Sequence, residues 1–585
     1  MAESIALSIA DLVVRYYGRD VDALRGVSLD VPAGSFTTIA GRNGAGKSTL
    51  ALAAAGLLPR IVRAEASGRI EIDGELIFDR STSTPEADGG TVAPPRQTSS
   101  RAGIVFPNPE NQLSGTKASV REELAFGLEN LGVPRDEMDG RIDRVLDDLG
   151  IVHLSDRAPD ALSGGEQQRV AIASIVAMGL PVLVLDEPTA QLDPVATDLV
   201  AELLVGIAGS GTAVLAAEHA PEVLGRSGRA LVLAEGRAVG LGRPGQALDP
   251  HALEGTGVLA PTIVTIASAA GADPEDAFDE ERVARALAAA VAGGTVQADA
   301  AVPEPPDVEW RTRRAGRAVD IELRGLVHRY PNGVEAVRGV DVGIRAGSAV
   351  AIVGQNGSGK TTLAKHLNGL LRPAAGTVLL GGIDAAASPV HRLAATVGFV
   401  FQNPDDQLFS RTVTRELRFG PRNLHFEEEE TSALVEAALA AIGLGEARDV
   451  NPYDLNVSDR KLVALGSVLA TDPPIVVLDE PTTGQDGPGV ARVGAIVDGL
   501  RAAGRTVIAI THDMEFAAGH FDRIVVMRHG QVVADDRPVA VFAATNAEML
   551  ASTGLKAPPA ARVAARLGLR APVLDWAGLR AAVLV

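Results

Sequence analysis

The sequence of 585 residues contains no cysteine, and aromatic residues make up only 3% of it. Because there is no thiol, disulfides, thiolate metal sites and cysteine nucleophiles are excluded. No uninterrupted apolar run approaches the roughly 18 residues of a membrane-spanning helix, and the N-terminus lacks a basic segment followed by an apolar one. We therefore expect a chain that is made and kept in the cytoplasm and that serves any membrane from outside the bilayer.

Basic residues are also in the minority, with 54 Lys and Arg against 74 Asp and Glu and a formal net charge of −20. Binding to a nucleic-acid backbone requires clustered Lys and Arg, so we expect no nucleic-acid partner, although a local basic patch stays open. The length predicts several structural units, and the hydrophobic fraction of 46% is ample for their cores.

A glycine-rich loop that ends in lysine and a hydroxyl residue occurs twice, at 41–48 and 354–361. Its glycines let backbone N–H groups face phosphates, its lysine reaches the outer phosphates, and its hydroxyl ligates Mg²⁺. An apolar strand precedes each copy and a helix-compatible run follows (49–58 and 362–371), which argues against a turn without a ligand. The expected nucleotide-binding residues are Gly41, Asn43, Gly44, Gly46, Lys47, Ser48, Thr49, Gly354, Asn356, Gly357, Gly359, Lys360, Thr361 and Thr362.

The whole arrangement is duplicated, since residues 5–240 and 320–545 both alternate strand-like apolar runs with helical patterns. This alternation predicts α/β units with a mostly parallel sheet. The first copy is about twenty residues longer, and most of the excess falls in a polar surface loop at 81–101. We divide the chain into a first domain (1–245), a helical appendage and linker (246–318), a second domain (319–548) and a C-terminal appendage (549–585). The appendage is Ala-rich and helical over 260–290, and the linker covers 293–306.

Each copy also has a buried-strand run that ends in two adjacent carboxylates, Asp186-Glu187 and Asp479-Glu480. Adjacent positions on a strand point to opposite faces, so the pair can divide the work. Asp186 or Asp479 would hold Mg²⁺ through water, and Glu187 or Glu480 would orient or deprotonate the attacking water. A merely solvated acidic pair is the alternative, and the accompanying phosphate loops argue against it.

The segment 162–169, Leu-Ser-Gly-Gly-Glu-Gln-Gln-Arg, resembles the signature motif of ATP-binding-cassette (ABC) ATPases. The resemblance implies two tandem P-loop ABC domains, each with a helical subdomain, that bind ATP and Mg²⁺ and pair head to tail within this chain. The signature of one domain then closes over the phosphate loop of the other. Ser163 would offer its hydroxyl, and Gly164 and Gly165 their amides, to a γ-phosphate at a helix N-terminus.

Other residues match the same family. Tyr16 and Tyr330 resemble the aromatic that stacks on adenine, and His219 and His512 resemble the switch histidine that senses the γ-phosphate. Gln402 resembles the glutamine that ligates Mg²⁺ and positions water. We therefore count Glu480, His512, Gln402, Glu187 and His219 as the candidate catalytic residues and Ser48, Asp186, Thr361, Gln402 and Asp479 as the candidate metal ligands.

The sequence departs from the family pattern at several positions. In the second domain Asn456 and Val457 replace the serine and first glycine of the signature, and the branched valine should obstruct close approach to phosphate. In the first domain Pro107 replaces the glutamine, and proline can neither ligate Mg²⁺ nor position water. Gln485 stands where the first domain has Leu192.

Head-to-tail pairing places all these departures on one of the two sites. The Lys360 site, closed by Ser163, is intact, whereas the Lys47 site is closed by the altered signature at Asn456. We therefore expect the Lys360 site to turn over ATP and the Lys47 site to bind it and hydrolyse it slowly or not at all. Glu187 is retained, so complete inactivity of the Lys47 site does not follow.

The segments 403–409 and 108–113 resemble those of energy-coupling-factor (ECF) transporter ATPases, although a polar turn before a helix is the structural alternative. The resemblance implies a peripheral protein on the cytoplasmic face of the membrane. Its partners would be an integral membrane scaffold and a small substrate-binding membrane component, and the cargo a vitamin or a transition-metal ion. Nothing in the sequence identifies the substrate, and import rather than export is implied by the resemblance alone.

Two other functions remain open. A conventional importer ATPase, for example for a sugar, shares every nucleotide motif. A soluble twin-cassette ATPase acting on ribosomes or DNA would be expected to carry a charged inter-domain segment or a basic surface, and the linker is acidic except for the arginines within 311–317.

Overall fold

The computed structural model describes residues 4–59, 61–80, 91–92, 100–109, 112–296, 308, 319–569 and 573–584. The chain forms two compact units, Met1–Ala301 and Val302–Val585. Most of the loop expected at 81–101, most of the linker at 293–306 and the arginines within 311–317 lie outside the described residues.

The strands and helices of the first unit follow the predicted alternation. Its strands are β1 (Ile5–Tyr16), β2 (Leu24–Pro32), β3 (Phe36–Gly41), β4 (Ala64–Ile72), β5 (Glu75–Arg80), β6 (Thr91–Val92), β7 (Ala102–Val105), β8 (Val182–Asp186), β9 (Ala213–Ala217), β10 (Arg229–Ala234) and β11 (Arg237–Gly242). Its helices are α1 (Lys47–Ala54), α2 (Val120–Leu131), α3 (Arg135–Asp148), α4 (Gly164–Val176), α5 (Pro194–Gly209), α6 (Pro221–Leu224), α7 (Pro244–Ala247), α8 (Thr262–Ala269) and α9 (Glu280–Gly293).

The second unit repeats this order. Its strands are β12 (Ile321–Arg329), β13 (Glu335–Ile344), β14 (Ala349–Val353), β15 (Ala375–Leu380), β16 (Ile383–Asp384), β17 (Val397–Val400), β18 (Ile475–Asp479), β19 (Thr506–Ile510), β20 (Arg523–Arg528) and β21 (Gln531–Asp536). Its helices are α10 (Lys360–Leu367), α11 (Val390–Leu393), α12 (Val413–Asn423), α13 (Glu428–Ile442), α14 (Val457–Leu469), α15 (Gly487–Ala502), α16 (Met514–His520), α17 (Pro538–Val541), α18 (Ala547–Ser552), α19 (Pro559–Arg566) and α20 (Trp576–Leu584).

The central sheet of the first unit has the strand order β11-β10-β3-β9-β8-β7, and its neighbours are parallel except for β10 and β11. The second unit has the matching order β21-β20-β14-β19-β18-β17, with β20 and β21 antiparallel. The predicted α/β class with a mostly parallel sheet is confirmed. Because the carboxyl ends of parallel strands meet at one edge, the segments after β3, β8 and β9 come together there.

An antiparallel sheet in each unit was not predicted. The orders are β2-β1-β4-β5-β6 in the first unit and β13-β12-β15-β16 in the second. Their strands alternate buried and exposed residues, as a sheet with one solvated face does. Each of these sheets depends on a pairing between strands far apart in the chain, β1 with β4 and β12 with β15, which is why the local pattern did not distinguish this sheet from the parallel one.

The helices after the phosphate loops are shorter than predicted. They end at Ala54 and Leu367, before the left-handed glycines Gly56 (φ 69°) and Gly369 (φ 72°). A glycine with positive φ just beyond a helix terminates it, which corrects the expected runs to 58 and 371. The stretch 260–290, for which we expected helix, contains α8 and the greater part of α9, and residues 270–279 between them are not α-helical. Among the described residues no helix combines the length and apolar character needed to cross a bilayer.

Candidate functional site

The conformation of both glycine-rich loops requires glycine at the position before the lysine. Gly46 has φ 101° and Gly359 has φ 99°, in the left-handed region that other residues rarely adopt. A Cβ atom on Gly46 would lie 2.6 Å from the Ala23 carbonyl oxygen, and one on Gly359 would lie 2.2 Å from that of Ala336. Any side chain at either position would therefore displace the strand behind the loop.

The lysine of each loop folds back over the loop's own backbone. Lys47 Nζ donates to the carbonyl oxygens of Gly41 at 3.0 Å and Arg42 at 3.2 Å. Lys360 makes the equivalent contacts with the first two residues of its loop, at 2.7 and 2.9 Å. Both lysines are buried, so each presents its ammonium group to the inside of the loop rather than to solvent.

The hydroxyl residue of each loop meets the first carboxylate of the acidic pair. Ser48 Oγ donates to Asp186 Oδ1 at 3.1 Å, and Thr361 Oγ1 donates to Asp479 Oδ1 at 3.1 Å. Burial, and next the adjacent glutamate, raises the pKa of each of these aspartates to about 6. A hydroxyl beside a carboxylate suits a hard divalent cation. The described residues contain no group of three or more His, Asp or Glu side chains placed to hold a metal ion.

The two carboxylates of each pair are separated by a backbone turn. Strand β8 ends at Asp186, and Glu187 has φ 48°; β18 ends at Asp479, and Glu480 has φ 50°. We expected the alternation of side chains along a strand to separate the aspartate from the glutamate. The backbone turn, and not this alternation, is therefore what separates them. The left-handed turn sets the direction of the glutamate, at a cost of order 1–3 kcal/mol per residue that the surrounding structure must offset.

The histidine candidates lie against the second carboxylate, but the two units differ. His512 Nδ1 lies 2.8 Å from Glu480 Oε2, whereas His219 Nε2 lies 3.6 Å from Glu187 Oε1. Burial opposes both charges of the His512–Glu480 pair, but their mutual attraction prevails: the pKa of His512 is raised and that of Glu480 is lowered. In the first unit Glu187 Oε1 also lies 3.9 Å from Lys47 Nζ. The second unit therefore holds the tighter carboxylate–imidazole pair.

Tyr16 and Tyr330 are joined to the helices that follow the phosphate loops. The Tyr16 hydroxyl lies 3.1 Å from Thr49 Oγ1, and the Tyr330 hydroxyl lies 3.0 Å from Thr362 Oγ1. Tyr16 ends β1 of the antiparallel sheet, which explains how this residue reaches the edge of the parallel sheet.

The signature segment of the first unit is a solvent-facing helix N-terminus. Helix α4 begins at Gly164, and both Ser163 and Gly164 are exposed, whereas Gly165 is half-buried. The Ser163 N–H and hydroxyl both donate to Glu166 Oε2 at 2.8 Å. Burial opposes ionisation of Glu166, but these donors and Arg157 lower its pKa. The exposed amides at this end are available to an anion.

The corresponding segment of the second unit is closed by its own side chains. Asn456 accepts from the Asp459 N–H at 2.9 Å and donates to Asp459 Oδ2 at 2.7 Å, while Val457 stands 50% exposed at the first helical position. Ser458 is buried and donates its hydroxyl to Gln485 Oε1 at 2.5 Å. The serine at the second position of this helix is therefore used within the unit.

Gln402 is exposed just beyond β17, and Pro107 occupies the equivalent position beyond β7. Each unit thus brings together its phosphate loop, acidic pair and histidine, with the glutamine or proline position at the end of the next strand. The pairing of Ser163 with the second phosphate loop, and of Asn456 with the first, stays a prediction.

The sequence analysis missed Glu218, a buried carboxylate directly before His219. It accepts hydrogen bonds from Thr189 and from the N–H groups of His219 and Ala220. The available signal was a charged residue directly after the wholly apolar strand β9, at the position where the second unit has Thr511.

Comparison with known proteins gives consistent results for both units. The sequence profile of the family described as "ABC transporter" matches residues 24–190 and 337–483. An inferred ABC transporter ATP-binding protein of Methanosarcina acetivorans is 36% identical over 580 residues, covering 96% of this chain and 91% of the relative. One of Caldanaerobacter subterraneus is 33% identical, covering 96% of each.

Among solved structures, cbiO1 from Clostridium perfringens, described as part of the ABC transporter complex cbiONQ, is 33% identical. It covers 40% of this chain and 96% of its own, with a TM-score of 0.36, which is too low to support an inference about function.

Proposed function

Because this chain belongs to the ABC transporter family of ATPases, we propose that its two units are the paired ATP-hydrolysing domains of an ECF-type membrane importer. The cargo would be a vitamin or a transition-metal ion. The partners would be an integral membrane scaffold and a small substrate-binding membrane component, with the chain bound to them as a peripheral protein on the cytoplasmic face. Both units lie in one chain, so their closure on ATP would be intramolecular and have a high effective concentration.

In each unit the ATP phosphates would lie in the glycine-rich loop, and the hydroxyl–carboxylate pair, Ser48 and Asp186 in the first, would hold Mg²⁺. The ion would supply charge neutralisation and alignment of the phosphates. The buried atoms His219 Nε2 and Ser358 Oγ have no hydrogen-bond partner among the described residues. Buried polar atoms of this kind are normally satisfied, so they support an anionic, hydrogen-bonding ligand at these loops. Tyr16 and Tyr330 would contact the adenine.

The two sites would divide the work, with hydrolysis at the Lys360 site and slow turnover at the Lys47 site. The 2.8 Å contact between His512 and Glu480 supports a more strongly held water-activating carboxylate in the second unit. The exposed isopropyl group of Val457 supports a poor closure of the first site, because it stands where a phosphate would have to approach the helix N-terminus.

The observation that carries the importer proposal is a glutamine-anchored turn after the sheet edge. Gln407 accepts from the Phe401 N–H at 3.2 Å and donates to the Ala464 carbonyl of α14 at 2.8 Å. In the first unit Gln112 makes the matching bonds, to the Phe106 N–H and the carbonyl of Ala171 on α4. A displacement of this turn by a bound partner would therefore be transmitted to the helix that begins with the signature.

The surface beside the second turn is apolar and suited to a partner. Phe409 and Phe419 are 59% and 50% exposed, and their rings pack edge to face at 4.7 Å. The turn below them is fixed by buried Glu416, which accepts from the N–H groups of Phe409 at 3.1 Å and Ser410 at 2.6 Å. A rigid pair of exposed aromatic rings is typical of interface anchors.

The test is to tag the chain, extract it gently from its native membranes and identify the copurifying proteins by mass spectrometry. We expect an integral membrane scaffold with a small membrane companion, and loss of both in the double variant Phe409→Ser and Phe419→Ser. The matched control is Ile383→Ser, which changes another exposed apolar residue (65% exposed) on the antiparallel sheet. This control should retain both partners.

Other recoveries would contradict the proposal in different ways. A transmembrane pair with a soluble sugar-binding component would indicate a conventional importer, and ribosomal proteins or DNA-associated proteins would indicate a soluble twin-cassette ATPase. Partners that remain bound to the Phe409/Phe419 double variant would contradict the role of this surface.

A further inference from the structure

The loop after the acidic strand is fastened to different elements in the two units. In the first unit it follows β8 and contains Thr189; in the second it follows β18 and contains Thr482 and Thr483. We call the residues directly after β9 and β19, which include His219 and His512, the histidine segment of each unit. The loop lies between this segment and the helix that begins with the signature. The hydrogen bonds that hold the loop therefore decide whether it moves with the histidine segment or with the signature helix.

In the first unit the loop is bound to the histidine segment through Glu218. One carboxylate oxygen, Oε1, accepts from the Thr189 N–H at 3.1 Å and from the Thr189 hydroxyl at 2.6 Å. The other, Oε2, accepts from the N–H groups of His219 at 2.9 Å and Ala220 at 3.2 Å. Glu218 is 3% exposed, so all four hydrogen bonds are shielded from water.

Glu218 is the acceptor in all four bonds. An ionised carboxylate suits this arrangement because it can only accept, whereas a protonated acid carries a hydrogen that it has to donate. Charge-assisted hydrogen bonds of this kind are about twice as strong as neutral ones. Burial raises the pKa of Glu218, and the Thr189 hydroxyl and the two N–H groups of the histidine segment oppose that rise.

In the second unit the connection is made elsewhere. Thr511 stands at the position of Glu218, and its hydroxyl oxygen accepts from the Asp513 N–H at 3.0 Å, within the histidine segment itself. The loop is instead held by Lys461 of α14, which donates to the carbonyl oxygens of Thr483 at 2.8 Å and Glu480 at 3.3 Å. The first unit has Gln168 at the position of Lys461, and its amide donates to the Phe106 carbonyl at 3.3 Å.

We propose that Glu218 is a positioning residue of the first nucleotide site, which holds His219 in contact distance of a γ-phosphate by fastening it to the loop at Thr189. The inference rests on the proposed function, in which His219 senses the γ-phosphate of ATP. In the second unit the loop is bound to α14 through Lys461, and His512 meets the start of the loop through the 2.8 Å contact of its imidazole with the Glu480 carboxylate. The first site is thereby built to retain ATP.

The test measures nucleotide affinity at the first site alone. The parent is the full chain with Lys360→Ala, which disables the second phosphate loop, and the probes are fluorescent ATP and ADP analogues with Mg²⁺. Changing Glu218 to threonine, the residue that the second unit has, should weaken ATP binding about tenfold, the loss of roughly one hydrogen bond, and leave ADP binding within about twofold. Only ATP carries the phosphate that His219 would contact.

Two further variants keep the test decisive. Thr189→Val preserves the side-chain shape, removes the hydroxyl that donates at 2.6 Å and should give a smaller loss confined to ATP, even if Glu218→Thr folds poorly. Glu222→Thr, the same chemical change four residues along the chain on α6, should change neither affinity.

Unchanged ATP affinity in both the Glu218 and Thr189 variants would overturn the proposal. Equal loss of ATP and ADP binding would also overturn it, because Glu218 would then support the site's fold and not the histidine. A Lys360→Ala parent that binds neither nucleotide would overturn the nucleotide-binding role of the first unit itself, and this inference with it.

Discussion

Replacing Asp479 with asparagine is expected to stabilise the second unit when nucleotide and Mg²⁺ are absent. Asp479 is 3% exposed, and burial, followed by the adjacent Glu480, raises its pKa from the ordinary 3.8 to about 6. At about 1.36 kcal/mol per pKa unit, holding that carboxylate ionised at pH 7 costs the folded unit about 3 kcal/mol. Asparagine has nearly the same shape, carries no charge and can still accept the 3.1 Å hydrogen bond from Thr361.

The size of this effect depends on pH with a definite sign. Between about pH 4 and pH 6 the unfolded Asp479 ionises before the folded one, so the free energy of unfolding of the unaltered chain falls as the pH rises and then levels off. The Asp479→Asn variant has no carboxyl group at this position, so this contribution to the fall in its free energy of unfolding is absent. The stability difference between the two should be near zero at about pH 4 and reach about 3 kcal/mol at pH 7.

Tryptophan fluorescence gives a selective assay, since neither of the two tryptophans of the chain belongs to the first unit: Trp576 lies on α20 of the second unit, and Trp310 lies outside the described residues. Urea unfolding would be followed by this signal in EDTA at several pH values. The matched control is Asp186→Asn, because Asp186 has the same raised pKa of about 6 but lies in the first unit, and its loss should not shift the tryptophan transition. An Asp479→Asn variant that is no more stable at pH 7, or whose advantage does not change with pH, would refute the reasoning.

Two further predictions concern turnover and acid stability. Glu480→Gln should lower steady-state phosphate release by about a hundredfold or more, the typical contribution of a positioned base, whereas Glu187→Gln should change it less than about threefold; equal losses would contradict the asymmetry of the sites. Burial lowers the pKa of His366, which is 1% exposed, so the unfolded state takes up protons before the folded one and the second unit loses stability as the pH falls below about 6.5. His366→Ala, which introduces the residue of the first unit at position 53, should flatten the pH dependence of tryptophan-monitored unfolding between about pH 5 and 7, and an unchanged slope would show that His366 is not its source.

Much of the fold was predictable because it follows from short-range chemistry. The buried runs of β3 and β14 with the glycine-rich loops behind them define strand–loop–helix units, and Gly46 is required by its own φ of 101°. The antiparallel sheets were not predictable in this way, since the partner of β1 on one side is β4, more than fifty residues along the chain from the start of β1. The alternation of β1 indicates a half-buried strand but does not identify its partner.

The same distinction between short-range and long-range effects applies to the candidate site. By itself the sequence determined the lysines, the acidic pairs, the signature and its replacement at Asn456 and Val457, because those are residue types at fixed spacing whose chemistry does not depend on distant neighbours. Only the tertiary structure decided that Glu187 departs from the strand in a left-handed turn and that Glu218 joins Thr189 to His219. Glu218 and Thr189 lie 29 residues apart, and they meet because parallel pairing of β8 with β9 brings the ends of both strands to one edge of the sheet.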